Sequence, residues 1–181
     1  MPAVVFDANF LTLLLHPTAR APQDPTTGKA VEHASRRIEM LVDQLSKDGV
    51  RIVIPTPVLS EFLVIAGDSA SEYVRVLDKS ARFEIAAFDQ RAAIENAAAL
   101  LNAIKQGDKR SGLDKAPWQK IKIDRQIVAI AKVRGATVLY STDHDIATLA
   151  RESDLQVRHI ADLPMPDEGL PLLRGLGDDE S

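Results

Sequence analysis

Residues 3–9 read AVVFDAN: four apolar residues, too few for a helix, run straight into Asp7 and a helix opening. The rest of the chain repeats the strand part of that unit. Short, mostly apolar runs follow at Arg51 to Ile54, Phe83 to Ala87, Thr137 to Tyr140 and Gln156 to Ile160, with helical stretches between them. Strands that are apolar on both faces and alternate with amphipathic helices imply an α/β fold. The expected form is a three-layer α/β/α sandwich around a mainly parallel five-stranded sheet.

The helices are legible by period and punctuation. Ala30 to Leu45 sets Val31, Ala34, Ile38, Leu41, Val42 and Leu45 on one stripe, and Lys47-Asp48-Gly49 ends it. Thr56-Pro57 reads as an N-cap with proline in the first turn, opening a helix through Val58, Leu59, Phe62 and Ile65. Asp89 caps an alanine-rich helix to about Lys105, Asp124 begins another that Gly135 stops, and a last helix starts near Asp143. These elements make one domain over residues 1–163. Two segments stand outside its core: a proline-rich surface excursion at 17–27 and a tail at 164–181 expected to be mobile.

Composition narrows the chemistry. A chain of 181 residues, 45% of them hydrophobic, supports one good core. Cysteine is absent, so disulfides and thiolate metal sites are excluded, which suits a reducing cytoplasm. No run approaches the ~18 apolar residues of a membrane span. The net charge of −4 is unevenly spread: the segment Lys105 to Arg125 is locally +4, on a body of −8.

In an open parallel sheet, loops and helix starts converge at the carboxyl ends of the strands, and ligands bind there. Four acids fall at that edge. Asp7 follows the first strand, Glu61 lies in the helix after the second, Asp124 opens the helix leading to the fourth, and Asp143 follows the fourth. Clustered carboxylates resist ionising unless a cation is shared among them. An all-oxygen donor set favours Mg²⁺ or Mn²⁺ over Zn²⁺, and such an ion activates water against a phosphate ester. Asp145 is a possible further ligand. Asp7, Asp124 and Asp143 can each also be read as plain helix caps. Glu61, spaced from Val58 and Ile65, is expected near the buried stripe, where an idle charge would be costly. The four histidines have no metal-ligand spacing, and His144 reads as an exposed loop residue.

Four pieces in this order, VVFDANFL, PTPVLSEFLV, IDRQIVAIAK and LYSTDHDI, span residues 3 to about 160, and together they resemble PIN domains. These are ribonucleases best known as bacterial toxins of the VapC type. The resemblance implies Mg²⁺ or Mn²⁺ held by Asp7, Glu61, Asp124 and Asp143, and cleavage of RNA. It also implies that Asn9 and Thr142 orient ligands or water, and that the chain forms a homodimer and pairs with an antitoxin. Lys109, Arg110, Lys120, Lys122 and Arg125 then become the expected RNA-guiding bases, and Trp118 a surface for a stacked base. The 17–27 excursion and the tail depart from a compact toxin.

Two other readings compete. A haloacid-dehalogenase-like phosphatase needs a second aspartate two residues after the first, where this chain has Asn9. A catalytically silent PIN-like scaffold would bind RNA or protein without cutting.

Overall fold

The computed structural model describes residues 2–16 and 18–166, so the expected tail lies outside the described residues from position 167 onward. Strands β1 (Ala3–Phe6), β2 (Arg51–Pro55), β3 (Phe83–Ala86), β4 (Ala136–Tyr140) and β5 (Gln156–Arg158) form one sheet in the order β3-β2-β1-β4-β5. Every neighbouring pair is parallel. All five expected strands are present, with β3 and β5 ending earlier than the sequence suggested.

Alternation along β1 builds the two inner layers. Ala3 and Val5 enter one apolar cluster and Val4 and Phe6 the other, all buried. On the second side, α2 (Ala34–Lys47) lays Ile38, Val42 and Leu45 over the sheet, and Phe6, Phe10 and Tyr140 meet with ring centroids 5.5 Å apart. On the first side lie α3 (Thr56–Ala66), α6 (Trp118–Val133) and α7 (His144–Arg151), while α5 (Gln90–Lys105) packs on α6. Helix α1 (Ala8–Leu15) straddles the carboxyl edge, sending Leu11 to one cluster and Phe10 to the other. Burying a side chain such as Phe6 or Leu11 stabilises the fold by about 1.5–3 kcal/mol.

Four elements differ from expectation. Helix α2 starts at Ala34, not Ala30, because Ala30 bridges Gln23 and His33 turns the chain at φ 53. That bridge folds residues 23–30 back on themselves. Helix α6 starts at Trp118, straight after Pro117, so Asp124 stands inside the helix rather than at its mouth. Thr56 is the first residue of α3, not its cap. Helix α4 (Ala70–Lys79), which no sequence feature had marked, buries Leu77 and sets Tyr73 against Phe62 with centroids 5.2 Å apart. Among the described residues no helix is long and apolar enough to cross a membrane.

The strand order places the site. The chain runs outward from β1 to β2 and β3, then returns to the far side of β1 for β4 and β5. The crevice of such a sheet opens where that direction reverses, between the carboxyl ends of β1 and β4. Asp7 and Asp143 follow those two strands.

Candidate active site

Asp7 caps α1 and faces the crevice at once. Its Oδ1 accepts from Phe10 N at 2.9 Å, while Oδ2 accepts from Ser141 Oγ and from Thr142 N, the latter at 3.3 Å. Its backbone N–H donates to Tyr140 O at 3.1 Å, locking β1 to β4 at this point. Asp7 is 7% exposed, and burial holds its carboxyl up at about 6 from the usual 3.8. The three hydrogen bonds pull the other way but do not cancel that cost, and Asp143 adds repulsion.

Asp143 has the same double role. Its Oδ1 caps α7 by accepting from Asp145 N at 2.8 Å, and its Oδ2 lies 2.8 Å from Lys120 Nζ. Asp143 N donates to Ser141 Oγ at 3.0 Å, so Ser141 links the two acids. The cap and site readings of these aspartates are therefore compatible, one oxygen serving each.

Asp124 reaches the crevice from within α6, one turn after Lys120, and the lysine's Nζ lies 2.8 Å from its Oδ2. The same ammonium is 3.0 Å from Asp145 Oδ2. Burial raises the Asp124 carboxyl above its ordinary range, with Asp143 and Asp145 adding to the rise against the pull of Lys120. Burial also acts to lower the lysine, but the hydrogen bonds it donates to the three aspartates outweigh that and push the ammonium's pKa up.

Glu61 lies on the same crevice by a different face than expected. The buried stripe of α3 is Val58, Phe62 and Ala66, and Glu61, one residue off it, is exposed. Among the described residues its carboxylate makes no hydrogen bond or ion pair. It lines a small cavity of about 50 Å³ together with Asp7, Asn9, Asp124 and Asp143. Asn9 Nδ2 donates to Thr142 Oγ1 at 2.7 Å, so the two expected orienting residues are in contact. A larger cleft, about 570 Å³, opens on the far side of Asp143 between Thr142, His144, Arg151, His159 and Gln23 of the excursion.

The structure thus brings Asp7, Glu61, Asp124, Asp143 and Asp145 around one crevice. Among the described residues no three acidic or histidine side chains stand ready as a metal cage, since three of the carboxylates turn toward Lys120. The donor set nevertheless suits a hard divalent cation. It is wholly carboxylate, and burial holds the Asp7 carboxyl above its usual range, a cost that a bound cation would offset.

The expected RNA-guiding bases separate. Lys109 and Lys122 are exposed. Arg125 is not on the surface: it is 5% exposed and spends its guanidinium on Ser111, Lys109 O and Glu152. Arg110 holds Ala116 O, and both it and Lys109 lie over the Trp118 ring. Lys120 sits among the acids. Sequence reasoning missed Ser141 altogether; its signal is that it continues the inward face of β4 two residues after Leu139.

A PIN-domain family model matches residues 29–152. The chain belongs to the PIN domain family. Glu61, Asp124, Asp143 and Asp145 lie within the matched span, and Asp7 precedes it. Among solved structures, this PIN domain is similar to a DNA-bound VapBC from Salmonella typhimurium, with a TM-score of 0.53 at 16% identity over 88% of this chain and 99% of that one. It is similar also to VapBC-1 from nontypeable Haemophilus influenzae, at TM-score 0.53, 16% identity, and 87% and 98% coverage. VapBC2 from Rickettsia felis, bound to a promoter DNA fragment, gives TM-score 0.51 and 15% identity over 87% of this chain and 98% of that one. At these identities the likeness speaks to the fold. No curated protein sequence matches the chain significantly.

Proposed function

We propose that this PIN domain is a Mg²⁺- or Mn²⁺-dependent endoribonuclease, and the toxin of a toxin–antitoxin pair. The observation that carries the reading is the convergence of five carboxylates from four separate elements on the switch point of the sheet, with one lysine to balance them. Acids gathered at that cost of repulsion are useful when a cation and a phosphodiester share the crevice.

Asp7, Glu61, Asp143 and Asp124 would hold the ion, which when bound polarises a phosphate oxygen and lowers the pKa of a coordinated water. The chain's own groups fix that geometry. Ser141 clamps the Asp7 and Asp143 segments together, and the Asn9–Thr142 pair presents polar atoms at the rim. The 570 Å³ cleft beside Asp143, with Arg151 and two histidines in its wall, is wide enough for nucleotides flanking the cut. Exposed Lys109 and Lys122 add positive charge for the RNA backbone. The VapBC neighbours support an antitoxin partner. A second copy would cover the exposed Val64 and Ile65 on α3.

The Lys120 contacts are also what a silent scaffold would show, and one assay separates the readings. Purified protein with saturating Mn²⁺ is incubated with varied RNAs, alongside the same reaction in EDTA and Asp124→Asn checked for folding by circular dichroism. Cleavage by the wild type alone is the expected result. RNA left intact by the wild type favours the scaffold, and phosphate release from a monoester through a phospho-aspartyl Asp7 favours a phosphatase.

A further inference from the structure

We propose that Lys120 is a built-in second cation of this site, so that the PIN domain takes one divalent ion where its carboxylates would otherwise take two. The inference rests on the metal-dependent reading above and deepens it.

An ammonium has three N–H donors. Lys120 is 2.8 Å from Asp124 Oδ2, 2.8 Å from Asp143 Oδ2 and 3.0 Å from Asp145 Oδ2, so every donor has a carboxylate partner. These three acids come from α6, the start of α7 and its first turn, and the lysine ties them together. Its position is set by α6 itself: Lys120 and Asp124 are one turn apart on a helix whose Ile121, Ile127 and Val128 are buried. A divalent ion seated among Asp124, Asp143 and Asp145 would have to strip all three charge-assisted hydrogen bonds from the lysine.

The other side of the same acids is open. The cavity of about 50 Å³ bounded by Asp7, Asn9, Glu61, Asp124 and Asp143 has no Lys120 in its wall. Since one water needs roughly 10–15 Å³ measured in this way, the cavity has room for one small ion and a few waters. Asp124 and Asp143 line this cavity while also contacting the lysine, as residues bridging two cations would. Lys120 is therefore a positioning residue: it spaces Asp124, Asp143 and Asp145 and leaves Asp7 and Glu61 for the divalent ion.

The test counts bound Mn²⁺ per chain by calorimetry and reads its coupling by electron paramagnetic resonance, in the full-length wild type and in Lys120→Met. The wild type is expected to bind one ion with a mononuclear signal. Lys120→Met should bind two, with the spin-coupled signal of a pair. Because the chain contains no cysteine, Lys120→Cys can be alkylated at that position alone with 2-bromoethylamine. This forms a C–S bond with loss of bromide and a proton, and the resulting lysine isostere should return the count to one. Two ions in the wild type, none in the wild type, or one in Lys120→Met would each overturn the proposal, and the first two outcomes hold even if the variants fail to fold. RNA cleavage with two ions bound sinks the lysine proposal alone. The one-to-two pattern without cleavage sinks the nuclease reading alone.

Discussion

Around Arg134 the charges balance: Arg51 and Arg134 share Glu84, and Arg134 also reaches Asp89, so two cations meet two acids. Around Lys120 one ammonium serves three aspartates, and Asp7 and Glu61 stand beside them with no cationic partner among the described residues. Both clusters are partly buried and both tie helices to the sheet. The first is complete as it stands, and its groups keep the chain's local geometry. The second carries an excess of negative charge, and burial, with a smaller push from Asp143, holds the Asp7 carboxyl up at about 6.

Breaking the unbalanced cluster should have the largest effect. Asp143→Asn keeps the cap on α7 but loses a charged ligand, and it should slow RNA cleavage by about a thousandfold. A metal ligand is worth several kcal/mol in the transition state, and each ~1.4 kcal/mol is a factor of ten. Initial rates in Mn²⁺ check this, and a change under tenfold would put the ion elsewhere. Ser141→Ala removes the hydroxyl that joins Asp7 to the Asp143 backbone, and should lower the rate by about 10–100-fold. The same titration reports whether the apparent Mn²⁺ affinity falls with it.

Asp7→Asn should act on stability in the opposite direction. The folded chain binds the Asp7 proton more tightly than the unfolded chain does. Its contribution is therefore favourable below about pH 4 and is lost as pH rises through about 6. At pH 7 without metal, Asp7→Asn should stabilise by on the order of 1–3 kcal/mol, raising Tm by about 2–4 °C for each kcal/mol. The difference should vanish at pH 4. Saturating Mn²⁺ should reverse the order, because only the wild type gains binding energy. The balanced cluster should respond least. Glu84→Gln is expected to cost about 0.2–1 kcal/mol in urea denaturation and to leave Mn²⁺ binding unchanged. A loss of Mn²⁺ affinity there would erase the distinction between the two clusters.

Much of this was legible in the sequence because it depends on local order. Five apolar runs separated by helical periods define the sheet, and an acid directly after β1 or shortly after β4 must lie at its carboxyl edge. What escaped depends on contacts between distant segments. The Lys120–Asp124 pair is a one-turn spacing, but that Asp143 and Asp145 share the same ammonium follows only from α7 packing beside α6. Arg125 reads as one more base in a positive segment, and only the fold shows it turned inward onto Ser111 and Glu152. Glu61 reached the site for a reason other than the one its sequence suggested. By spacing Ile65 falls on the expected stripe, but it is half exposed, and the true stripe runs through Val58, Phe62 and Ala66. Helix α4 was invisible because its short apolar pattern, Tyr73 and Leu77, gains meaning only against Phe62.

A crystal structure of the wild type grown with MnCl₂ and measured at the manganese absorption edge tests the account most directly. It predicts an anomalous peak in the small cavity bounded by Asp7, Glu61 and Asp143, with Lys120 still against Asp124. Well-ordered carboxylates with no manganese between them, or manganese bound only at some other surface, would contradict it.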